Sequence, residues 1–380
     1  MLEDLFKKYV VFTVIVMLIE ASLLPISMAI KTDVSIDTND TSISFNNTIY
    51  VDDDSECPGD GTIESPYCKI QYGIDNATDG DTVSVFNGTY FETLIINKTI
   101  HLYGAGDNNT VIYYDENTMN SAESIVHVNA NNCIINGFKI ISLVAISIII
   151  RGIYIISSNN TISNNTILNS TDGIFIYTGQ NNTIFRNMIS NNDYGIVCMS
   201  AVNNSILDNN ISSNSQHGIS AFTYSNNNII SRNIIIKNYQ GIRIKGSKSN
   251  TIFRNRIENN NLGVQFCCGA NDNTVYYNTF MQNSGENAWD GLTNQWNYEE
   301  NGNYWSDYTE RYPNASKLWL KGIWDTPYYI PGGDNVDKYP LIKPPNKSKE
   351  ENNARLLFTS KGTLFYYSYK RILNPFFYDT

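Results

Sequence analysis

The chain has 380 residues, of which 37 are acidic and 26 are basic, so its formal net charge is −11. This acidic balance, with no basic cluster on one face of the repeats described below, argues against a polyanion partner and excludes a general nucleic-acid-binding role. Six cysteines are too few to form a disulfide framework for a chain of this length.

The first 29 residues have the layout of a secretory signal. Lys7 and Lys8 precede an apolar run, and the run closes on small residues up to Ala29. We therefore expect a signal segment over 1–29, a polar linker over 30–48, and membrane contact only if the signal stays uncleaved. Frequent Asn-x-Ser/Thr acceptor sites agree with an exported glycoprotein.

Residues 49–112 predict an N-terminal cap and the first turns of a repeat array. They contain short strands and an amphipathic segment with Ile70 and Ile74 on one face. A repeat array needs such a cap, because its first open edge would otherwise pair with other chains. Cys57 and Cys68 bracket a short loop in this region and could form a disulfide in an oxidising compartment.

Three consecutive aspartates, Asp52, Asp53 and Asp54, could bind calcium. No series of ligand residues at calcium-loop spacing follows them, so a solvated acidic turn is the preferred interpretation. We therefore assign no metal site and expect no cofactor, with calcium left open.

Residues 113–290 repeat one short pattern. A glycine opens an apolar strand six times, at spacings of 21, 22, 23, 23 and 22 residues. The first and third residues after each glycine are apolar, so they point into a shared core while the residue between them points outward. The six positions are Gly152, Gly173, Gly195, Gly218, Gly241 and Gly263.

An asparagine recurs at one phase of the second strand of each repeat. Asparagine can adopt the left-handed backbone conformation at a bend, and identical amides on successive turns can hydrogen-bond as a ladder. We therefore expect these residues to be structural, and the repeat to form an all-β, single-stranded parallel β-helix. The column contains Asn165, Asn187, Asn209, Asn233, Asn255 and Asn278.

Residues 291–342 predict an aromatic-rich C-terminal capping module, followed by a tail over 343–380. All five tryptophans fall between Trp289 and Trp324. Large aromatic side chains can close the open end of a β-helix, and they can also stack on sugars. Capping is the preferred interpretation because it explains the clustering without a ligand.

Both ends of the array resemble a known family. The opening segment reads YVDDD, GDGT, SPYCKIQYGID, GDTVSVFNGTY and INKTIHLYGAG, and the closing segment reads NQWNYEENGNYWSDY and DTPYYIPGGDNVDKYPLI. These motifs are similar to the NosD-like, pectin-lyase-fold proteins of archaeal and bacterial surfaces. The resemblance implies a right-handed β-helix at a cell surface.

The outward positions of the repeats are the candidate site. The motifs STDG, NNDYG, QHG and GIRIKG are similar to the polygalacturonase signature. That resemblance implies that Asp172 and Asp193 act as acid and base, that His217 supports them, and that Arg243 with Lys245 holds a uronate carboxylate. The match is partial, and a catalytic site needs its full geometry, so a noncatalytic protein is the preferred interpretation.

Aromatic residues on the same face predict a ligand-binding surface, formed by Tyr154, Phe175, Tyr194 and Tyr239. We therefore expect an exported cell-surface protein that is structural or binds a surface polysaccharide. One alternative is a glycoside hydrolase or polysaccharide lyase. A further alternative is a NosD-type accessory protein for copper-site maturation, although His101, His127 and His217 lie on separate segments.

Overall fold

The computed structural model describes residues 47–115, 122–143 and 149–345. Within these ranges the chain coils through three strands per turn, and each strand pairs in parallel with its counterpart in the next turn. The predicted all-β, right-handed parallel β-helix is confirmed. The signal segment, nearly all of the linker and most of the tail lie outside the described residues.

The three sheets contain ten, ten and nine strands. The first sheet consists of Thr48–Val51, Thr82–Val85, His101–Gly104, Ile134–Asn136, Thr161–Ser163, Thr183–Phe185, Ser205–Leu207, Ile229–Ser231, Thr251–Phe253 and Thr274–Tyr276. The second sheet consists of Gly88–Phe91, Thr110–Tyr114, Lys139–Ser142, Thr166–Leu168, Met188–Ser190, Asn210–Ser212, Ile234–Ile236, Arg256–Glu258, Thr279–Met281 and Tyr304–Trp305. The third, here called the glycine sheet, consists of Leu94–Ile96, Ser124–Val128, Arg151–Ile155, Asp172–Tyr177, Tyr194–Met199, His217–Phe222, Gln240–Lys245, Leu262–Cys267 and Glu286–Asp290.

Short elements close the two ends of these sheets. Helix α1 spans Ile70–Asn76, and helix α2 spans Tyr308–Arg311. Two antiparallel hairpins pair Lys317–Leu318 with Ile323–Trp324, and Tyr328–Tyr329 with Val336–Asp337. Among the described residues, no helix combines the length and the apolar character needed to cross a bilayer.

The second apolar segment of each repeat bends into two strands. In residues 183–189, the first sheet ends at Phe185 and the second begins at Met188. Arg186 makes the bend with a φ of 55°, and Asn187 follows it. The expectation that the recurring asparagine itself adopts the left-handed conformation is therefore wrong, since the residue before it does so.

Asparagine ladders run along all three corners of the coil. At one corner, Asn187 donates from its backbone N to Oδ1 of Asn209 at 2.9 Å and from Nδ2 to the same oxygen at 3.0 Å. Its Nδ2 also donates to the carbonyl of Ile162 at 2.9 Å. These bonds satisfy buried backbone groups where the chain leaves the sheets. The predicted ladder is confirmed, and two more accompany it.

The other two ladders share this geometry. One lies between the glycine sheet and the first sheet, and the other lies between the second sheet and the glycine sheet. The ladder between the glycine sheet and the first sheet contains Asn160, Asn182, Asn204, Asn228, Asn250, Asn273 and Asn294. The ladder between the second sheet and the glycine sheet contains Asn192, Asn214, Asn238, Asn260 and Asn283.

Each ladder ends on a carboxylate near the C-terminal end of the coil. Asp337 accepts from the backbone N of Asn303 at 2.7 Å and from Nε1 of Trp305 at 2.9 Å. Asp290 accepts from Nδ2 of Asn294 at 3.0 Å. Asn283 donates from Nδ2 to Oδ1 of Asn287 at 2.9 Å, and Asn287 in turn donates from Nδ2 to Asp307 at 2.7 Å. Because ladder donors point toward the C-terminus, the last amide of each ladder needs such an acceptor.

The interior is a stack of aliphatic side chains, most of them isoleucine. In one turn, Ile184, Ile189 and Ile196 come from the three sheets and are fully buried. The glycine that opens each strand of the glycine sheet is required by packing. A Cβ on Gly195 would lie 2.4 Å from the carbonyl oxygen of Gly218.

The C-terminal module uses its tryptophans in two ways. Trp296, Trp305 and Trp324 are buried and belong to the core that closes the last turn, as the capping interpretation predicts. Trp289 and Trp319 remain 37% and 65% exposed. A sugar-stacking role stays a prediction for these two side chains.

The N-terminal cap rests on helix α1. Ile70 and Ile74 are fully buried over the first turns. Glu92 accepts hydrogen bonds from the backbone N of Ile70 at 2.7 Å and of Gln71 at 3.0 Å, which satisfies donors at the helix start. The structure joins Cys57 and Cys68, as an intramolecular disulfide, in the loop before this helix.

We expect Asn209→Ala to lower the free energy of unfolding by about 2–5 kcal/mol, because it leaves buried donors of the neighbouring turn without acceptors. Urea denaturation followed by circular dichroism measures this change. The exposed Asn108 supplies a control, and Asn108→Ala should change stability by no more than about 0.5 kcal/mol. Equal effects of the two substitutions would contradict a structural ladder.

Candidate functional site

Outward side chains of the glycine sheet form two main columns, because parallel register aligns equivalent residues of successive turns. One column contains Arg151, Asp172, Tyr194, His217, Gln240 and Leu262. The other contains Tyr154, Phe175, Val197, Ser220, Arg243 and Gln265. We call this surface the outer face.

An aromatic cluster forms the floor of the outer face. Tyr154 and Phe175 are only 9% and 8% exposed, although both point away from the core. The guanidinium of Arg151 covers them, at 4.8 Å and 4.6 Å from the two ring centres. These two rings of the predicted ligand-binding surface therefore offer little area to a ligand.

The other two predicted aromatic residues are more accessible. Tyr194 is half-buried, and its ring meets that of His217 edge-on at 5.1 Å between centres. Tyr239 is 55% exposed at the corner that leads into the glycine sheet. The structure thus divides the predicted surface into a covered floor and an accessible margin.

Asp172 lies beside Arg151 at the N-terminal end of the outer face. Its Oδ2 is 3.4 Å from Nε of Arg151, whose Nη1 also pairs with Glu123 at 2.8 Å. Burial raises the pKa of Asp172 to about 6, the charge of Asp193 adds to this rise, and Arg151 opposes it. Asp172 is therefore a carboxyl group that exchanges its proton near neutral pH.

Asp193 stands on the turn before the next strand. Its Oδ1 accepts a hydrogen bond from Oγ of Ser215 at 2.7 Å, one turn further along the coil. The structure brings Asp172 and Asp193 close enough for their charges to interact. Two neighbouring carboxyl groups in different surroundings can serve as an acid and a base.

His217 is buried and neutral near pH 7. Nδ1 lies 2.7 Å from Oγ of Ser220, and Nε2 lies 3.4 Å from Nη1 of Arg243. Since a guanidinium can only donate, Nε2 must be the acceptor and Nδ1 must carry the proton. Burial, followed by the charge of Arg243, lowers the pKa of His217 to about 4. In this tautomer His217 cannot take a proton from Ser220.

Arg243 and Lys245 stand two residues apart on one strand, so both face outward. Within the described part of the chain, neither forms an ion pair with a carboxylate. Lys245 is exposed, whereas Arg243 is half-buried. The five residues predicted from the polygalacturonase-like motifs therefore spread along the face, with acids toward one end and bases toward the other.

Sequence reasoning missed the groups that hold these residues in place. Ser220 orients His217, Ser215 binds Asp193, and the Cys267 thiol interacts with Arg243. The repeat period places each of them on a neighbouring turn or strand position. Their contacts depend on side-chain rotamers, which the period does not specify.

The three aspartates near the N-terminus come together, with ligand oxygens within 4.8 Å of one another. In the described part of the chain, this is the one group of three or more His, Cys, Asp or Glu side chains that does so. Asp53 already accepts a hydrogen bond from the backbone N of Thr89 at 2.7 Å, which ties the loop to the coil. Calcium binding there stays an open prediction.

The chain matches a family described as periplasmic copper-binding protein (NosD), over residues 33–228 and 157–310. These matches cover more than half of the sequence. The chain belongs to the NosD family. A search of curated proteins finds no match for this NosD-family chain.

Several solved structures resemble this NosD-family protein at low sequence identity. The Dettilon tailspike protein (gp208) has a TM-score of 0.49 and 16% identity, covering 68% of this chain and 62% of the tailspike. Pectate lyase Pel9A has a TM-score of 0.47 and 14% identity, covering 81% and 91%. The GH136 lacto-N-biosidase from Eubacterium ramulus has a TM-score of 0.47 and 12% identity, covering 66% and 67%. This chain therefore spans less than two thirds of the tailspike's length.

The described residues do not fit the copper ligation that the family description names. Copper favours His, Cys and Met ligands, whereas the one close group here consists of three carboxylates. His127 and His217 both lie on the glycine sheet, but four strand spacings of about 4.8 Å separate them. We therefore derive no copper chemistry from this chain.

Two substitutions should shift the pKa of Asp172 in opposite directions. Arg151→Gln should raise it above about 6 by removing a stabilising charge, and Asp193→Asn should lower it by removing a repulsive one. Carboxyl-carbon NMR titration measures both changes. Shifts in the same direction would contradict this account.

The raised pKa of Asp172 also determines how this residue makes the stability of the fold depend on pH. The usual value for the aspartate side chain is 3.8, and the folded value is about 6. Protonated Asp172 therefore stabilises the fold fully below pH 3.8, and this contribution is lost as the pH rises through 6.

Proposed function

We propose that this NosD-family protein is extracytoplasmic and binds a polysaccharide along the outer face. The supporting observation is that buried side-chain polar atoms without hydrogen-bond partners concentrate on the glycine sheet. Among the described residues six side-chain atoms are buried without a hydrogen bond, and four belong to strands of the glycine sheet. One of the four, Nε of Arg151, has an ion-pair partner in Oδ2 of Asp172 at 3.4 Å. The other three are Nε2 of His127, Oε1 of Gln240 and Nε of Arg243.

An unpartnered buried polar group costs about 1–3 kcal/mol, so a concentration of them on one surface favours a ligand that supplies the missing partners. Sugars carry hydroxyl groups that both donate and accept hydrogen bonds. Gln240 is only 9% exposed. Its Nε2 donates a hydrogen bond to Oε1 of Gln265 at 3.1 Å, but its own Oε1 accepts none. A sugar hydroxyl is a suitable donor for this oxygen.

Aromatic rings at the margin complete the chemistry of a sugar site. Tyr177 and Tyr239 are 42% and 55% exposed, and Tyr224 is 73% exposed on the corner after the glycine sheet. Such rings stack on the apolar faces of sugars while their hydroxyls remain in water. Tyr177 and Tyr224 lie on the side where strands of the glycine sheet end, and Tyr239 lies on the side where they begin, so exposed rings flank both edges of the outer face.

Arg243 and Lys245 define the preference for one acidic sugar. Two outward cations without an acidic partner match a carboxylate group, which a guanidinium binds through two parallel hydrogen bonds. The net charge of −11 opposes long-range attraction of a polyanion. Recognition should therefore depend on this local pair and on sugars that carry carboxylates at intervals.

The location outside the cytoplasm has three supports. The first residues have the layout of a secretory signal, and the matched family is described as periplasmic. The disulfide between Cys57 and Cys68 is typical of oxidising compartments. Anchoring at the cell surface and glycosylation at acceptor asparagines belong to the same proposal.

Calorimetric titration of the full chain with uronate oligosaccharides and with neutral ones of equal length tests this function. Arg243→Gln should weaken uronate binding about 10-fold, since a charge-assisted hydrogen bond contributes about 1.5 kcal/mol or more. Binding of neutral sugars should change by less than about twofold.

Arg256→Gln, on an exposed arginine of the second sheet, supplies the matched control and should leave both affinities unchanged. Equal losses in the two arginine variants would remove the outer face as the binding surface. Absence of binding to any glycan would favour a purely structural protein.

A polysaccharide-cleaving enzyme is the second candidate, because the pKa of Asp172, about 6, suits a general acid and Asp193 lies nearby. An assay for new reducing ends and unsaturated products should then show turnover that Asp172→Asn and Asp193→Asn each reduce at least 100-fold. Binding without turnover would leave a recognition protein. Turnover that survives both substitutions would place the reaction elsewhere.

A further inference from the structure

Two adjacent cysteines lie at the edge of the outer face. Cys267 ends a strand of the glycine sheet and aligns with Lys245 of the previous turn. The chain then turns back, with the backbone N of Ala270 donating to the carbonyl of Cys267 at 3.2 Å. Cys268 and Gly269 occupy the middle of this turn, with φ of 58° and 88°.

The two thiols differ in access and share one neighbour. The thiol of Cys267 is half-buried and interacts both with the Cys268 thiol and with the guanidinium of Arg243. Cys268 is exposed. The remaining unpaired cysteines in the described chain, Cys133 and Cys198, are buried in the core and inaccessible to a reagent in solution.

We propose that Cys267 and Cys268 form a reversible disulfide, so that oxidation withdraws the Cys267 thiol from Arg243. The same chain already carries the disulfide between Cys57 and Cys68, so the compartment that closes one pair can oxidise the other. This modification site goes beyond the proposed function and is tested without a ligand.

The reaction is thiol–disulfide exchange with a low-molecular-weight disulfide such as oxidised glutathione. The exposed Cys268 thiolate attacks one sulfur of the external disulfide, which forms a mixed disulfide and releases one external thiol. The Cys267 thiolate then attacks Sγ of Cys268, which closes the protein disulfide and releases the second external thiol. Two protein thiols are oxidised, and one external disulfide is reduced to two thiols.

Geometry makes this disulfide easier to reduce than the other. Adjacent Cα atoms are about 3.8 Å apart, below the usual range of about 4.4–6.8 Å for disulfides. The Cα atoms of Cys57 and Cys68 are 5.2 Å apart, within that range. A strained and exposed disulfide belongs to the labile class. The disulfide between Cys267 and Cys268 is therefore expected to form and to be reduced at redox potentials where the Cys57–Cys68 disulfide stays intact.

The test incubates the full chain in glutathione buffers from reducing to oxidising, blocks free thiols by alkylation after unfolding, and measures peptide masses. In oxidising buffer the peptide with Cys267 and Cys268 should carry no alkyl group and be lighter by two hydrogens. In intermediate buffer it should carry two alkyl groups while Cys57–Cys68 stays closed. Cys198→Ala, a matched core substitution, should leave this transition unchanged.

Two alkyl groups on this peptide in the most oxidising buffer would overturn the proposal, and so would disulfide-linked dimers in place of the internal bond. The role of Arg243 is measured separately in a Cys268→Ser background, where Cys267 is the remaining accessible thiol. Arg243→Gln should slow alkylation of Cys267 several-fold, since the guanidinium stabilises the thiolate. Arg256→Gln should leave this alkylation rate unchanged. Equal rates in the two variants would show that Arg243 does not affect the reactivity of Cys267.

Discussion

The asparagine ladders are the constraint on which the rest of the structure depends. A coil with three corners per turn leaves backbone groups unpaired at every corner, and burial makes each of them costly. One amide, such as that of Asn187, supplies an acceptor to the turn before it and donors to the turn after it. The ladder residues therefore recur every 21 to 25 positions, and this recurrence fixes the register of all three sheets.

A fixed register separates the requirements of folding from those of function. The inward isoleucines, the ladder amides and the strand-opening glycines occupy positions where few other residues fit. The outward positions between them are free to differ from turn to turn. Arg151, Asp172, His217 and Arg243 lie on this unconstrained surface. Their neighbourhood follows from the coil, so a binding face can change without altering the core.

The fold was predictable because the glycine period and the alternation of strands survive in the sequence. One ladder was predictable, whereas the other two were hidden, because runs such as 181–182 and 191–192 place consecutive asparagines at each corner and blur the phase. The members of the outer face followed from the period. Their contacts did not, because the cover of Arg151 over two rings and the bond from His217 to Ser220 depend on side-chain conformation.

The carboxylates that end the ladders give the coil a direction. Every ladder presents acceptors at its N-terminal end and donors at its C-terminal end, and Asp290, Asp307 and Asp337 occupy the donor end. The acceptor ends are already used inside the coil, where Asn160, Asn165 and Asn192 accept from the backbone N of Cys133, Phe138 and Ser170. The donor ends would stay open without the three carboxylates, and open donors at the end of a coil could pair with another chain. Asp290, Asp307 and Asp337 thus act as chain terminators in the polymer sense, while the C-terminal module is a lid on the core.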